Sequence, residues 1–369
     1  MANTQIYAAL GVPDDDYAFL RTYGQEVIYD ATMQVLGDHN ADVAQMTAFF
    51  VEKNTKDHAV KYKLPGTGRL QRRGRQSNAA AIKATGDWTV QFPLEDFAAS
   101  LQMDDVSFAY ATMGFYDLQL AAVLKADVNT QRFEILRALF NNTARPFVDE
   151  NWGALTVQPL ANGDTVAYPP VVGSEVNATA QNYLGVAANI SGAGAITDLN
   201  NPIPLLVNTL EQHFGTPTGG SKIVVIVNNA QTTGIQGLSN FDTVPNRFVQ
   251  YGANVSLAMQ ELFPDGMPPG RVLGESDSAL IVEWRWMPAG YMGAFHTEAA
   301  APLYRRIDPP ETGLGQGLQL IVEDMNAVIW KQTWRNRFGI GAGNRLNGVI
   351  IDLTAAGGAN TYTIPPAFV

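Results

Sequence analysis

The chain has 369 residues, 46% of them hydrophobic and 16% charged, with a formal net charge of −11. That length exceeds the size at which one core stops growing, so two domains are expected, and the absence of cysteine excludes disulfides and thiolate metal sites. The first sixteen residues lack a basic-then-apolar pattern and no apolar run approaches the ~20 residues that span a bilayer, so a soluble protein made in a cytoplasm is expected.

Asp14, Asp15 and Asp16 precede an amphipathic run of Phe19, Leu20, Tyr23, Val27, Ile28, Ala31, Val35 and Leu36. Acids favour a helix start, Gly37 reads as the stop, and residues 43–51 read as a second short helix. This segment has too little apolar surface for a core of its own. It is expected to be an arm packed on a neighbour or on the main body.

The most informative stretch follows. Lys53, Lys56, Lys61, Lys63, Arg69, Arg72, Arg73 and Arg75 are opposed only by Glu52 and Asp57, a local balance of about +6 in an acidic chain. β-rich runs at 58–64 and 88–92 flank it, with Pro65, Gly66, Gly68 and Gly74 between. The pattern predicts a long two-stranded arm unable to bury itself on its own body, and a loop of this length in a compact domain normally has a function. A basic strand can bind phosphates, but Tyr62 is the single aromatic there and the net charge of −11 opposes non-specific binding. An acidic surface on another copy fits better, because planar Arg forks pair bidentately with carboxylates. Lys61, Lys63, Arg69, Arg72, Arg73 and Arg75 are therefore the expected inter-subunit contacts.

Residues 88–101 read as a strand returning to the body. Asp104 and Asp105 open the longest helical pattern, to about residue 142, with Phe108, Phe115, Leu118 and Ala122 as its apolar stripe and Phe133, Leu136 and Phe140 continuing it. No proline interrupts 106–145 and Pro146 closes the segment. Unbroken, such a helix is roughly 55 Å long, with Gly114 as its expected bend. Residues 147–200 are turn-rich, with a short strand at 165–168. Beyond them helix and strand alternate: a helix at 203–214 stopped by Gly215, a buried β-branched strand at 222–228, and a helix at 250–263. Strands follow at 279–287, 303–307 and 319–322, and two long ones at 328–340 and 347–353 are joined by Gly341-Ala342-Gly343-Asn344. No fixed-period repeat is present.

Catalytic motifs are weak. The run from Gly215 to Lys222 has the glycine spacing of a phosphate loop, but Lys222 and Ser221 are reversed and the strand follows rather than precedes. A helix stop and turn explains it better. Gly339, Gly341 and Gly343 read as a glycine turn, not a dinucleotide fingerprint. His39, His58, His213 and His296 are scattered, no His-Glu-x-x-His run occurs, and no Gly-x-Ser-x-Gly elbow occurs. No catalytic residue, cofactor or metal ligand is assigned.

The segment order is helical arm, basic hairpin, very long helix, β-rich stretch, α/β domain and paired terminal strands. It resembles the tailed-bacteriophage major capsid protein family, with the Hong Kong 97 fold. Glu283-Trp-Arg-Trp-Met-Pro-Ala-Gly-Tyr-Met292 and Trp334-Arg-Asn-Arg-Phe-Gly-Ile-Gly-Ala-Gly-Asn-Arg-Leu-Asn-Gly348 look like the closing region of such proteins. The resemblance implies an α+β fold with residues 1–50 as N-terminal arm, 51–100 as extended loop and 101–199 as peripheral domain with its spine helix. Residues 200–320 would form an axial α/β domain, and 321–369 the return strands of the peripheral domain and the C-terminal tail. It further implies hexamers and pentamers of this chain closing into an icosahedral shell around double-stranded DNA, in a virion assembled in the host cytoplasm. Portal, scaffolding and decoration proteins are the implied partners, with no membrane. No scaffolding segment fits before the arm, so scaffolding is expected either from a separate protein or from a segment already removed. Two alternatives stay open: an encapsulin-like nanocompartment shell of the same fold, and a soluble two-domain α/β enzyme with its ligand at the Gly215 to Lys222 turn.

Overall fold

The computed structural model describes Phe19 and residues 25–64, 69, 70, 72, 86–218, 222–243, 270–326, 329–354 and 361–369. A first helix, α1 (Gln25–Thr47), leads through strand β1 (Val51–Thr55) into a hairpin of β2 (Ala59–Leu64) and β3 (Gly86–Gln91). Then come β4 (Glu95–Asp104), a short helix α2 (Asp105–Tyr110), the long helix α3 (Met113–Phe140), and a second hairpin of β5 (Arg145–Asp149) and β6 (Gly153–Val157). The next elements are β7 (Tyr183–Gly185), α4 (Ile203–Phe214), β8 (Ile223–Val227), α5 (Asn229–Gln236), β9 (Phe241–Thr243), β10 (Arg271–Ser276) and β11 (Ala279–Glu283). The chain continues with β12 (Tyr291–His296), β13 (Leu303–Arg306), β14 (Gln319–Asn326), β15 (Ile329–Ala342) and β16 (Val349–Asp352).

The larger sheet has the order β7-β16-β12-β8-β11-β10-β9. Its middle strand, β8, is Ile-Val-Val-Ile-Val and wholly buried, as a strand covered on both faces must be. Alternation divides its side chains between two cores. Ile223, Val225 and Val227 meet Leu206, Val207 and Leu210 of α4 and Ile235 of α5. Val224 and Ile226 meet Leu136, Leu139 and Phe140 at the end of α3. α4 buries Ile203, Leu206, Val207 and Leu210, the spacing of one helical face.

The smaller sheet is organised by β15. Residues 329–338 pair with β4 on one side and 329–335 with β14 on the other, while 339–342 pair with β13, which runs parallel to β1. Trp334 is fully buried and packs with Tyr116 and Leu120 of α3 and with Val35 and Leu36 of α1. α3 therefore serves one core with its first half and another with its last turns.

Polar groups occupy the helix between those halves. Asp127 pairs with His39 of α1 at 3.0 Å, accepts from Gln131 Nε2 at 3.0 Å, and accepts from Asn336 Nδ2 of β15 at 2.7 Å. Arg305 of β13 is buried nearby; burial pulls its pKa down, and attraction to Asp127 opposes that.

Several expectations are corrected. α1 is one helix that continues through Gly37, because Val35, Leu36 and Val43 on either side are buried and outweigh a glycine cost of about 1 kcal/mol. The long helix breaks at Ala111–Thr112 rather than bending at Gly114. Thr112 takes φ −91° and ψ 160°, and its hydroxyl accepts from the Phe115 N–H, starting a new helix. α3 has 28 residues, about 42 Å, not roughly 55 Å. The expected stripe is also turned outward: Phe115 and Leu118 are 47% and 72% exposed and Ala122 is exposed, while Tyr116, Leu120, Val123 and Leu124 face inward. The side chain of Phe108 lies outside the described residues. Asp104 does act as a helix-start acid, its pKa lowered by a hydrogen bond from Ser107.

Residues 88–101 form two strands, β3 and β4, separated around Pro93, which has no N–H to give a ladder. Tyr168 makes a single bridge to Ala178 in place of the strand expected at 165–168. β15 and β16 are not a pair; they belong to different sheets. The helix expected at 250–263 lies outside the described residues.

Replacing Asp127 by Ala should destabilise the subunit by about 3–5 kcal/mol in urea unfolding, because a buried charge partner is removed. Asp127→Asn, which keeps part of the hydrogen bonding, should cost less.

Candidate assembly interface

The register of the first hairpin sets Tyr62 opposite Trp88, Lys61 opposite Thr89 and Lys63 opposite Asp87. Side chains alternate across the ribbon, so one face is aromatic and the other cationic. The Tyr62 and Trp88 rings stack at 5.1 Å, and Trp88 meets Tyr168 edge-on at 5.4 Å. The Tyr62 hydroxyl donates to that of Tyr304 at 3.3 Å, and Phe92 lies 5.6 Å from the Tyr304 ring. Burial, and then the bond to Tyr304, raise the Tyr62 pKa well above its usual value. The hairpin root is thus buried on its own body, which corrects the expectation that the arm makes no such contact.

A second clamp lies beside it. Arg306 Nη1 donates to Asp149 Oδ2 at 2.7 Å and to the Phe92 carbonyl at 2.9 Å, and both charged groups are buried. Asp149 Oδ1 accepts the N–H groups of Asn151 and Trp152, and Trp152 stacks on His58 at 4.0 Å. Burial works upward on the Asp149 carboxyl, but the Asn151 amide and Arg306 outweigh it and its pKa is lowered. Neither clamp was read from the sequence. Alternation in 58–64 and 88–92 could have located the Tyr62–Trp88 pair, whereas Asp149 and Arg306 are far apart in the chain and carry no local signal.

The expected contact residues do not converge on one point. Lys61 pairs with Asp87 across its own hairpin at 2.5 Å, and both are well exposed. Arg69 pairs with Glu175 at 3.2 Å, with Arg69 82% exposed. Lys63 is exposed opposite Asp87, and Arg72 is exposed. Arg73 and Arg75 lie outside the described residues.

The enzyme alternative gains nothing at Gly215. That residue caps α4 with φ +80°, and the Thr218 N–H and hydroxyl both donate to the Glu298 carboxylate, at 3.0 and 2.8 Å. The Thr218 donors are thus already taken by a carboxylate. Gly219, Gly220 and Ser221 lie outside the described residues. Gly339 and Gly341 lie within β15 rather than in a turn. At Gly339 a Cβ would stand 2.0 Å from the Pro93 carbonyl oxygen, so close backbone approach requires glycine. Among the described residues no group of three or more potential metal ligands occurs, and no helix is long and apolar enough to cross a membrane.

No family model matches the sequence, and no curated protein matches it. Among solved structures, a chain from Mycobacterium phage Patience superposes with a TM-score of 0.67 at 18% identity, over 95% of this chain and 94% of that one. The chain has the fold of that phage protein. The capsid of Myoviridae phage XM1 has a TM-score of 0.46 at 10% identity, over 84% of this chain and 91% of that one. The capsid of a native GTA particle has a TM-score of 0.45 at 11% identity, over 85% and 91%. These two are too distant to add to the first.

Because the native Asp149 pKa is lowered, the stabilisation from its pair with Arg306 is fully present above the ordinary carboxylate value of about 3.9. It is lost as pH falls through the lower native value. Asp149→Asn should cost about 3–5 kcal/mol at pH 7 by leaving Arg306 buried and unpaired. It should also flatten the acid limb of stability against pH, measured by urea unfolding of the subunit.

Proposed function

We propose that the chain is the major capsid subunit of a tailed bacteriophage, a structural protein and not an enzyme. It assembles as hexamers and pentamers into an icosahedral shell enclosing double-stranded DNA without reading its sequence. The observation that carries this reading is the fold shared, along nearly the whole of both chains, with a protein of Mycobacterium phage Patience. The sequence resemblance to tailed-phage capsid proteins supports the same reading independently of that superposition. On it, residues 1–50 are the arm, 51–100 the extended loop, 101–199 and 321–369 the peripheral domain with its tail, and 200–320 the axial domain. Portal, scaffolding and decoration proteins are partners in the same reading, with assembly in the host cytoplasm.

The charge distribution suits a lattice. Exposed ion pairs contribute about 0–1 kcal/mol each, yet a closed shell repeats each contact many times and adds them by multivalency. Lys61, Lys63, Arg69, Arg72, Arg73 and Arg75 are the inter-subunit contacts in this reading.

Negative-stain microscopy of the expressed chain should show closed particles. Arg72→Glu combined with Arg73→Glu should abolish them while leaving a subunit with the parent circular dichroism and urea midpoint. Normal particles from the double variant would remove the arginines from assembly, and a parent chain that elutes only as a monomer would remove the shell reading itself.

A further inference from the structure

The middle turns of α3 expose no acid. Between Asp117 and Glu134 the one acidic residue is Asp127, which is buried and engaged by His39, Gln131 and Asn336. Lys125, Asn129 and Arg132 recur at i, i+4 and i+7, so they share one side of the helix and span about 10 Å. Lys125 and Asn129 are exposed and Arg132 is half-buried. Neither cation forms an ion pair with a described residue.

The turn after β11 extends this surface. Arg132 Cζ lies 4.8 Å from the centre of the half-exposed Trp286 ring, a contact that orients a guanidinium without neutralising it. Arg285, next to Trp286 in the chain, and Arg271 of β10 both meet Glu283, at 3.8 and 2.8 Å, and both stay largely exposed. Lys125, Arg132, Arg271 and Arg285 against Glu283 leave a local balance of +3 in a chain of net charge −11. Burial lowers the Arg132 pKa with no acid to oppose it, and a half-buried cation of that kind is stabilised by an anion brought to it.

We propose that this surface binds the phosphate backbone of DNA, with Lys125, Arg132, Arg271 and Arg285 as its cationic contacts. The assignment rests on the shell reading above and adds to it the wall that meets the enclosed nucleic acid. Phosphates are repeated charges that a stripe of cations follows without touching bases, and neutralising them releases condensed counterions. Asn129 adds an uncharged donor of the kind that bonds phosphate oxygens. Between Leu118 and Phe133 the helix exposes no large apolar side chain, so the stripe lacks the apolar centre of a protein interface. The acidic body keeps each contact weak, but a shell repeats it in every subunit.

Binding is read by fluorescence anisotropy of a short labelled duplex with subunits isolated by size exclusion. Affinity should fall about hundredfold between about 50 and 200 mM salt. K125E with R285E, both at exposed positions, should weaken binding at least tenfold at the lower salt and reduce the salt slope by about 2. Circular dichroism and the urea midpoint should stay at parent values. K56E with K61E, the same charge change on the ribbon, should alter affinity less than threefold. Particles assembled with the duplex and then treated with nuclease give a second reading. Shells of K125E with R285E should form in parent numbers and protect at least tenfold less DNA. A parent chain that does not bind at the lower salt overturns the assignment, and so does binding lost with the ribbon pair but not with the α3 pair. Tighter binding of polyglutamate than of duplex at equal charge also overturns it and makes the partner an acidic protein. All three results leave the shell reading standing. A chain that binds duplex through Lys125 and Arg285 yet forms no particles overturns the shell reading and keeps the surface.

Discussion

Asp127 lies partway along a helix whose two ends belong to different cores, and its carboxylate gathers donors from elements far apart in the sequence. His39 comes from α1, Gln131 from the next turn of α3, and Asn336 from the centre of β15, with Arg305 of β13 close by. A buried charge is costly unless it is paired and hydrogen-bonded, so the network fixes the axial position of α3 against both α1 and the smaller sheet. An apolar stripe alone would let α3 slide by a turn, since Leu120, Val123 and Leu124 recur at similar spacings. The polar girdle forbids that. Once α3 is placed, its last turns enter beneath the larger sheet, where Phe140 lies 5.7 Å from Tyr291 and the Tyr183 hydroxyl reaches the Leu139 and Asn141 carbonyls.

The same division of labour governs the hairpin. Its root is aromatic and held by the body through Tyr62, Trp88, Tyr168 and Tyr304, with the Arg306–Asp149 pair alongside. Beyond the root Arg69, Leu70 and Arg72 are exposed, and the ion pairs of Lys61 and Arg69 are of the weak, solvent-screened kind. Such an arm has a fixed point of departure, and its exposed ion pairs among the described residues are weak enough to exchange. Moving Arg69 from Glu175 to another acid leaves the buried root unchanged.

Much of the fold was legible in the sequence, for reasons that differ by element. The β-branched run of β8 and the 3,4-spaced face of α4 announce themselves because both bury every residue the pattern marks. The hairpin was legible because β-rich runs at 58–64 and 88–92 flank a basic stretch punctuated by Pro65, Gly66, Gly68 and Gly74. The orientation of α3 was not, because periodicity reports where apolar residues recur and not which way they point. Val106, Tyr110, Phe115 and Leu118 are exposed while an adjacent stripe is buried, so the helices carry two apolar faces and the sequence gives no means of ranking them. Gly37 misled in the opposite direction, since a local propensity was overridden by burial on either side. Of the candidate interface, the cations could be read residue by residue. The acid that meets Arg69 could not, because Glu175 comes from a distant segment that only the folded chain brings into place.

Segregated charge also bears on how copies meet. With about +6 in the ribbon and −11 overall, the bodies of two subunits repel, and on the proposed shell reading the ribbon is the region that offsets this. Approach in a random orientation sets acid against acid, which is unfavourable. On that reading, an approach that brings a ribbon to an acidic surface exchanges repulsion for attraction, so the like charge of the bodies would sharpen selection of the correct geometry. Both terms are screened over about 8 Å at physiological ionic strength, and they therefore act only at close range. Specificity then comes less from the strength of any arginine pair than from the contrast between that contact and every other face the subunit can present.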